Sequence, residues 1–206
     1  MDVPVYRNGS TDRIEVDSSF LGDKVKARTL RAAVIMYEAC KRVGTHDSLT
    51  RGEVNRSKRA LFRQKGLGRG RVRHPQVVQC RGGGTAHGPH PRNYRYRMPK
   101  KALRVATRSA LLSKFRDGEV VMAERLEFAA PKTKELNNVL RSLGCGDSCL
   151  IVTDSVDRNL LLSARNLRRV KVMEASQLNA YDLLFHRKLL LTQAGFDAIK
   201  EIHSNG

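Results

Sequence analysis

Cys149-Leu150-Ile151-Val152, Val170-Lys171-Val172-Met173 and Lys188-Leu189-Leu190-Leu191 are three runs of four residues, mostly apolar, set about twenty residues apart. Runs this short suit strands rather than helices, and the first, apolar at every position, reads as a strand buried on both faces. The intervals between them carry helical patterns: residues 156–167, a short segment near Tyr181, and the residues after Thr192. Upstream, residues 120–123 repeat the strand signal. The run Pro131-Lys132-Thr133-Lys134 then places proline in the first turn of a helix through Leu136, Val139, Leu140 and Leu143 to Gly144. Strands that alternate with helices predict an α/β fold: a mostly parallel sheet flanked by helices.

The N-terminal end adds strands at residues 3–6 and 14–16 around an Asn8-Gly9 turn signal, then a helix over residues 23–43. Leu30, Ala33, Val34, Tyr37 and Cys40 recur on one face of that helix, which marks it as core, and Gly44 stands where a C-terminal cap belongs. The pattern then stops. Residues 51–99 hold eight of the sixteen glycines and four of the six prolines, and no apolar period survives. A second helix, over residues 99–115, has Leu103, Ala106 and Ala110 on one face and Lys101, Arg104 and Arg108 on another. The predicted organisation is therefore a globular α/β body of residues 1–48 and 100–206, with residues 49–99 inserted after the first helix as a long irregular basic loop.

Charge decides where function lies. Seventeen Lys or Arg and one carboxylate, Glu53, fall between Arg51 and Arg108, so this stretch supplies +16 of the formal +19. The other 148 residues are nearly balanced, with 22 basic and 19 acidic side chains. So many like charges held together call for a dense polyanion, because each basic group that meets a phosphate releases condensed counterions. The stretch is broken by Gly and Pro and offers no amphipathic face for a membrane surface. No apolar run is long enough to span a bilayer, and Met1-Asp2-Val3-Pro4-Val5-Tyr6 resembles no secretion leader. The protein is expected to be soluble and intracellular, with Cys40, Cys80, Cys145 and Cys149 as reduced thiols.

The densest cluster runs from Arg63-Gln64-Lys65-Gly66-Leu67-Gly68-Arg69 through Gly70-Arg71-Val72-Arg73. Glycines there let backbone approach phosphates while guanidiniums fork onto their oxygens. Arg51, Arg56, Lys58 and Arg59 precede it. Arg81, Arg92, Arg95 and Arg97 follow it, and Lys100, Lys101, Arg104 and Arg108 continue the charge along the next helix. All are candidate RNA contacts. Tyr94 and Tyr96, interleaved with Arg95 and Arg97, suit either base stacking or pinning of the loop base, and Phe62 beside Arg63 is a third ring. The Gly-rich run from Arg81 to Arg92 needs a partner to hold one shape.

Other chemistries fit poorly. The glycines at 66, 68 and 70 match neither a dinucleotide fingerprint nor a P-loop. Cys80, His87 and His90 lack the fourth ligand and paired spacing of a zinc site, and no metal or cofactor is expected. Cys145 and Cys149 are read as packing residues. The carboxylate pairs Asp154 with Asp157 and Glu124 with Glu127 suit loop ends and helix caps. A nucleic-acid-processing enzyme would need carboxylates for magnesium near its channel, where only Glu53 stands. A DNA-binding regulator would need a groove-reading motif, and none appears.

Taken in order, these segments resemble the universal large-subunit ribosomal protein of the L-four family in its bacterial form. The likeness rests on Gly44-Thr45-His46, Thr50-Arg51-Gly52-Glu53-Val54, Arg63-Gln64-Lys65-Gly66, Gly68-Arg69, Gly82-Gly83-Gly84, Gly88-Pro89 and Pro91-Arg92. It continues through Pro99-Lys100-Lys101, Arg108-Ser109-Ala110-Leu111, Ala130-Pro131-Lys132-Thr133-Lys134 and Ser163-Ala164-Arg165-Asn166-Leu167.

The resemblance implies a body at the solvent side of the large subunit and a loop threaded into its ribosomal RNA. Such a protein binds early in assembly, beside neighbouring large-subunit proteins in the cytoplasmic ribosome. The loop tip, here Arg63, Lys65, Gly66, Leu67, Gly68 and Arg69, would form part of the nascent-peptide tunnel constriction and meet the departing chain. Phe62, Leu67 and His87 depart from the tryptophan, threonine and phenylalanine usual in that family.

Overall fold

The computed structural model describes residues 2–7, 10–17, 19–126, 128, 130–155 and 157–204. The Asn8-Gly9 turn, Glu127 and Val156 lie outside the described residues. Six strands form one sheet: β1 (Asp2–Arg7), β2 (Ser10–Glu15), β3 (Val120–Ala123), β4 (Cys149–Thr153), β5 (Val170–Glu174) and β6 (Lys188–Thr192). Their spatial order is β2-β1-β3-β6-β4-β5. Only β1 with β2 is antiparallel; every other pair is parallel, in keeping with a mostly parallel α/β sheet.

Both faces of the sheet are covered, and the period of two along each strand sorts residues between them. Val120, Met122, Leu150, Val152, Leu189 and Leu191 point to one side. There they meet α2 (Lys100–Arg116), α5 (Ala180–Phe185), α6 (Gln193–Ser204) and part of α1 (Ala27–Lys41). Val121, Ala123, Cys149, Ile151, Val172 and Leu190 point to the other, against α3 (Thr133–Ser142) and α4 (Arg158–Ala164). Cys149, Leu150, Ile151 and Val152 are all fully buried, which is why that run carries no polar alternation.

Side-chain caps open two of the helices. Asp157 caps α4, its carboxylate accepting from the Asn159 amide at 3.2 Å, so one of the paired acids is a helix cap. Asn179 caps α5 in the same way through the Asp182 amide at 2.8 Å. Cys145 and Cys149 are packing residues on the α3/α4 side. The Cys149 thiol donates to the neighbouring Cys145 sulfur, and this bond together with burial pushes the Cys149 thiol up, away from the reactive form.

Two expectations need correction. The first helix is shorter than residues 23–43, and only Ala33 and Met36 are buried in it, while Leu30 and Tyr37 are partly buried against the core. Gly44 is not its cap, since the helix ends three residues earlier.

By internal contacts the chain falls into two compact units, Met1–Glu38 with Arg97–Gly206, and Ala39–Tyr96. The first contains the sheet. No helix among the described residues is long and apolar enough to cross a membrane.

Candidate nucleic-acid interface

Residues 42–99 contain neither helix nor strand, as their Gly and Pro content dictates. The Ala39–Tyr96 unit nevertheless has internal order. Its outgoing and returning arms are tied by a ladder of bonds: Arg92 N to Gly44 O at 3.0 Å, Ser48 N to Pro89 O at 3.1 Å, and Thr85 N to Leu49 O at 2.8 Å. Farther along, the amide of Gln76 donates to the carbonyls of Val54 at 2.8 Å and Arg56 at 3.0 Å, while its backbone carbonyl accepts from Gly84 N at 3.0 Å. Gln76 is only 4% exposed, so these bonds replace water rather than compete with it. A last rung, Leu61 N to Arg73 O at 2.9 Å, closes the neck of the tip. Glycine permits the close backbone approach on which this ladder depends. A Cβ on Gly84 would lie 2.2 Å from the Arg51 nitrogen.

Charge sits on this frame without internal compensation. The unit carries fourteen Lys and Arg, all exposed, and two carboxylates. Both carboxylates serve local bonds. Glu53 accepts from the amide and hydroxyl of Thr50 at 2.7 Å each, which holds its carboxyl below the usual range. Asp47 accepts from the Ser48 amide at 2.8 Å and faces His90 Nδ1 at 3.2 Å.

At the tip, Arg63, Lys65, Gly66, Leu67, Gly68 and Arg69 line a hollow of about 400 Å³ that no carboxylate enters. Phe62 is 43% exposed, and the Arg69 guanidinium lies 4.9 Å from its ring centroid. Leu67 presents an apolar side chain to solvent.

The structure sorts the predicted contacts. Arg51, Arg56, Lys58, Arg59, Arg63, Gln64, Lys65, Arg69, Arg71, Arg73, Arg81, Arg92 and Arg95 are all exposed within the Ala39–Tyr96 unit. Arg56 has one edge engaged, donating to Arg81 O at 2.7 Å. Arg97, Lys100, Lys101 and Arg104 are exposed on the other unit. Arg108 is half-buried there, and its guanidinium donates to the His203 backbone carbonyl.

Tyr94 is not a free stacking platform. The guanidiniums of Arg42 and Arg92 sit 4.1 and 4.3 Å from its ring centroid, and His46 Nε2 lies 3.4 Å from its hydroxyl. A hydrogen bond from Arg92, with the charges of Arg92 and Arg42, holds the phenol below its ordinary value. Sequence reasoning misses Arg42, because it runs the helix to residue 43 and begins the basic segment at Arg51. The available signal is the Lys41-Arg42 pair just ahead of Gly44. Cys80, His87 and His90 form no group able to hold a metal among the described residues.

The profile of the ribosomal protein L4/L1 family matches residues 14–202. The chain belongs to that family. Within it, the chain is 43% identical to the large ribosomal subunit protein uL4 of Desulforudis audaxviator over 189 residues, covering 92% of this chain and 91% of the relative. It is 42% identical to uL4 of Carboxydothermus hydrogenoformans over 97% of this chain and 98% of that one. With uL4 of Rhodopirellula baltica it shares 39% over 91% and 85%. The L4/L1 match spans both units, so the uncompensated excursion is part of the family segment and not an appendage to it.

Proposed function

We propose that the chain is a structural, non-enzymatic constituent of the large ribosomal subunit that binds large-subunit ribosomal RNA through residues 39–96. The observation that carries this reading is fourteen exposed cations on a hydrogen-bonded frame whose two carboxylates are engaged by Thr50, Ser48 and His90. Such a surface has no use for a compact acidic ligand and matches an extended phosphate array. Arg51, Arg56, Lys58, Arg59, Arg71, Arg73, Arg81, Arg92 and Arg95 hold RNA along the arms. Arg97, Lys100, Lys101 and Arg104 add contacts from the body, and Arg108 contributes mainly by buttressing α2. The body docks early in cytoplasmic assembly, beside neighbouring large-subunit proteins. The tip residues Arg63, Gln64, Lys65, Gly66, Leu67, Gly68 and Arg69 reach the peptide exit tunnel and meet the nascent chain. Leu67 gives that wall an apolar point.

The test is equilibrium binding of the full chain to large-subunit rRNA across salt. If half of the fourteen cations each meet a phosphate, log K falls against log salt with a slope of about −5 to −6. The protein should also stay with large subunits through a high-salt wash. A slope near zero, or release in the wash with recovery on DNA, would overturn the reading.

A further inference from the structure

A second concave site lies at the base of the excursion, apart from the tip. Lys41, Arg42, Arg92 and Arg95, with Thr45 and Asn93, line a groove of about 520 Å³ that contains no carboxylate. Two of these cations are built into position. The guanidiniums of Arg42 and Arg92 share the ring of Tyr94, with centroid distances of 4.1 and 4.3 Å. A guanidinium stacked on a ring gives up the rotamer freedom that would otherwise oppose binding, and its five N–H donors leave several for an anion even where, as in Arg92, one is given to the Tyr94 phenol. The ring is itself fixed. Its hydroxyl meets His46, and the neighbouring Gly44, at φ 75°, has no Cβ, which would stand 2.9 Å from the ring and 2.2 Å from the Arg92 carbonyl. The Arg92 N to Gly44 O bond at 3.0 Å locks the two arms at this point.

We infer that this groove is a clamp for one phosphodiester of RNA, gripped by Arg42 and Arg92, with Tyr94 as the positioning residue. The inference rests on the rRNA-binding reading above and assigns its base-of-loop contact. The chemistry selects an anion. Two guanidiniums crowd the Tyr94 ring, so it does not offer an open face to a base, and the groove presents four cationic donor groups with no carboxylate in its lining. The C-terminal end of α1 contributes about half a negative charge nearby, too little to offset four cations. Continuity with the other basic residues of the same unit favours RNA over an acidic polypeptide.

The experiment measures binding of full-length wild type, Arg42→Gln, Tyr94→Phe and Tyr94→Leu to large-subunit rRNA across salt, with thermal melts as a fold control. Arg42→Gln should weaken binding about tenfold at physiological salt and reduce the log–log slope by about 0.7 to 0.9, one phosphate's worth. Tyr94→Phe keeps the ring and loses the hydroxyl's contacts with His46 and Arg92, so it should lose clearly less affinity than Tyr94→Leu. Tyr94→Leu should lose affinity and slope although no charge has been removed, an outcome that a purely structural ring in a folded protein would not give. Wild-type affinity and slope in Arg42→Gln would overturn the clamp while leaving the rRNA reading intact. Loss of salt-dependent binding in the wild type would overturn that reading itself. Unchanged RNA binding with weakened binding of polyglutamate would make the groove a protein-facing site and also overturn the clamp.

Discussion

Gln76→Ala should loosen the excursion without touching the sheet. The Gln76 side chain is the one amide that joins the outgoing arm at Val54 and Arg56 to the returning arm, through bonds of 2.8 and 3.0 Å. Removing it orphans two carbonyl acceptors and opens a small void. Two net hydrogen bonds amount to about 1–3 kcal/mol. Val54 is half-buried and Arg56 exposed, so water reaches one acceptor more easily, and the lower half of that range, about 1–2 kcal/mol, is the expected loss. All partners lie in Ala39–Tyr96, so the loss is local. Native-state amide exchange reads it directly: the amides of Val54, Arg56, Gly83, Gly84 and Thr85 should exchange about 5 to 30 times faster, while those of β3, β4 and β6 keep wild-type rates. Gln76→Met separates the contributions, since it keeps volume and loses both bonds. Wild-type protection in the Met variant would refute the hydrogen-bond argument. Equal acceleration in β4 and β6 would refute the division into two units.

Lys65→Glu reverses an exposed charge at the tip, so body stability should stay within about 0.5 kcal/mol while rRNA affinity falls, most visibly at low salt; a shifted body melt would contradict the local assignment. His203 titrates in the opposite sense from a paired histidine. It is 7% exposed, and burial, reinforced by Arg108 and Arg104, pushes it down to about 4 from 6.5. Between those values the unfolded chain binds the extra proton, so body stability should fall as pH drops from about 6.5 toward 4. The slope is at most about 1.4 kcal/mol per pH unit, less the part that solvent screens. Melting temperature against pH should flatten in His203→Asn, and parallel curves for the two proteins would refute the assignment.

The body is legible in the sequence because each element obeys a local rule. Leu150 to Val152 and Leu189 to Leu191 are apolar at successive positions because helices cover both faces of a parallel sheet, and few other architectures bury consecutive strand residues on both sides. The first helix misleads for the converse reason. Its apolar spacing is real, but periodicity does not distinguish a helix buried along its face from one whose buried residues are Ala33 and Met36 alone. The excursion is legible as charge and not as shape. Nothing in the order of residues announces that Gln76 bonds back across twenty residues or that Gly84 lets the arms touch. Such contacts are specific to one backbone path and leave no period. On sequence alone Tyr94 suits stacking on a base and pinning the loop equally, and what the sequence does not show is that Arg42, outside the densely basic segment, reaches its ring.

What holds the excursion together bears on how it works. A frame carrying fourteen cations would ordinarily be closed by ion pairs, yet most of its rungs are backbone amides and the neutral Gln76 amide, beside the Asp47–His90 pair and the Arg56 bond to Arg81 O. Carboxylates placed across the arms would lower the self-repulsion and cancel the potential that attracts phosphate by the same amount. Neutral donors avoid that trade: they oppose the repulsion without reducing the field outside. Salt then acts with opposite signs on the two states. It screens repulsion within the free unit, which tightens it, and screens the attraction to RNA, which loosens the complex. The glycines complete the same logic, since a backbone approach that excludes side chains lets uncharged bonds form where charged chains would otherwise crowd. The shape of the excursion belongs to the chain, and the energy that locks it in place comes from the polyanion it meets.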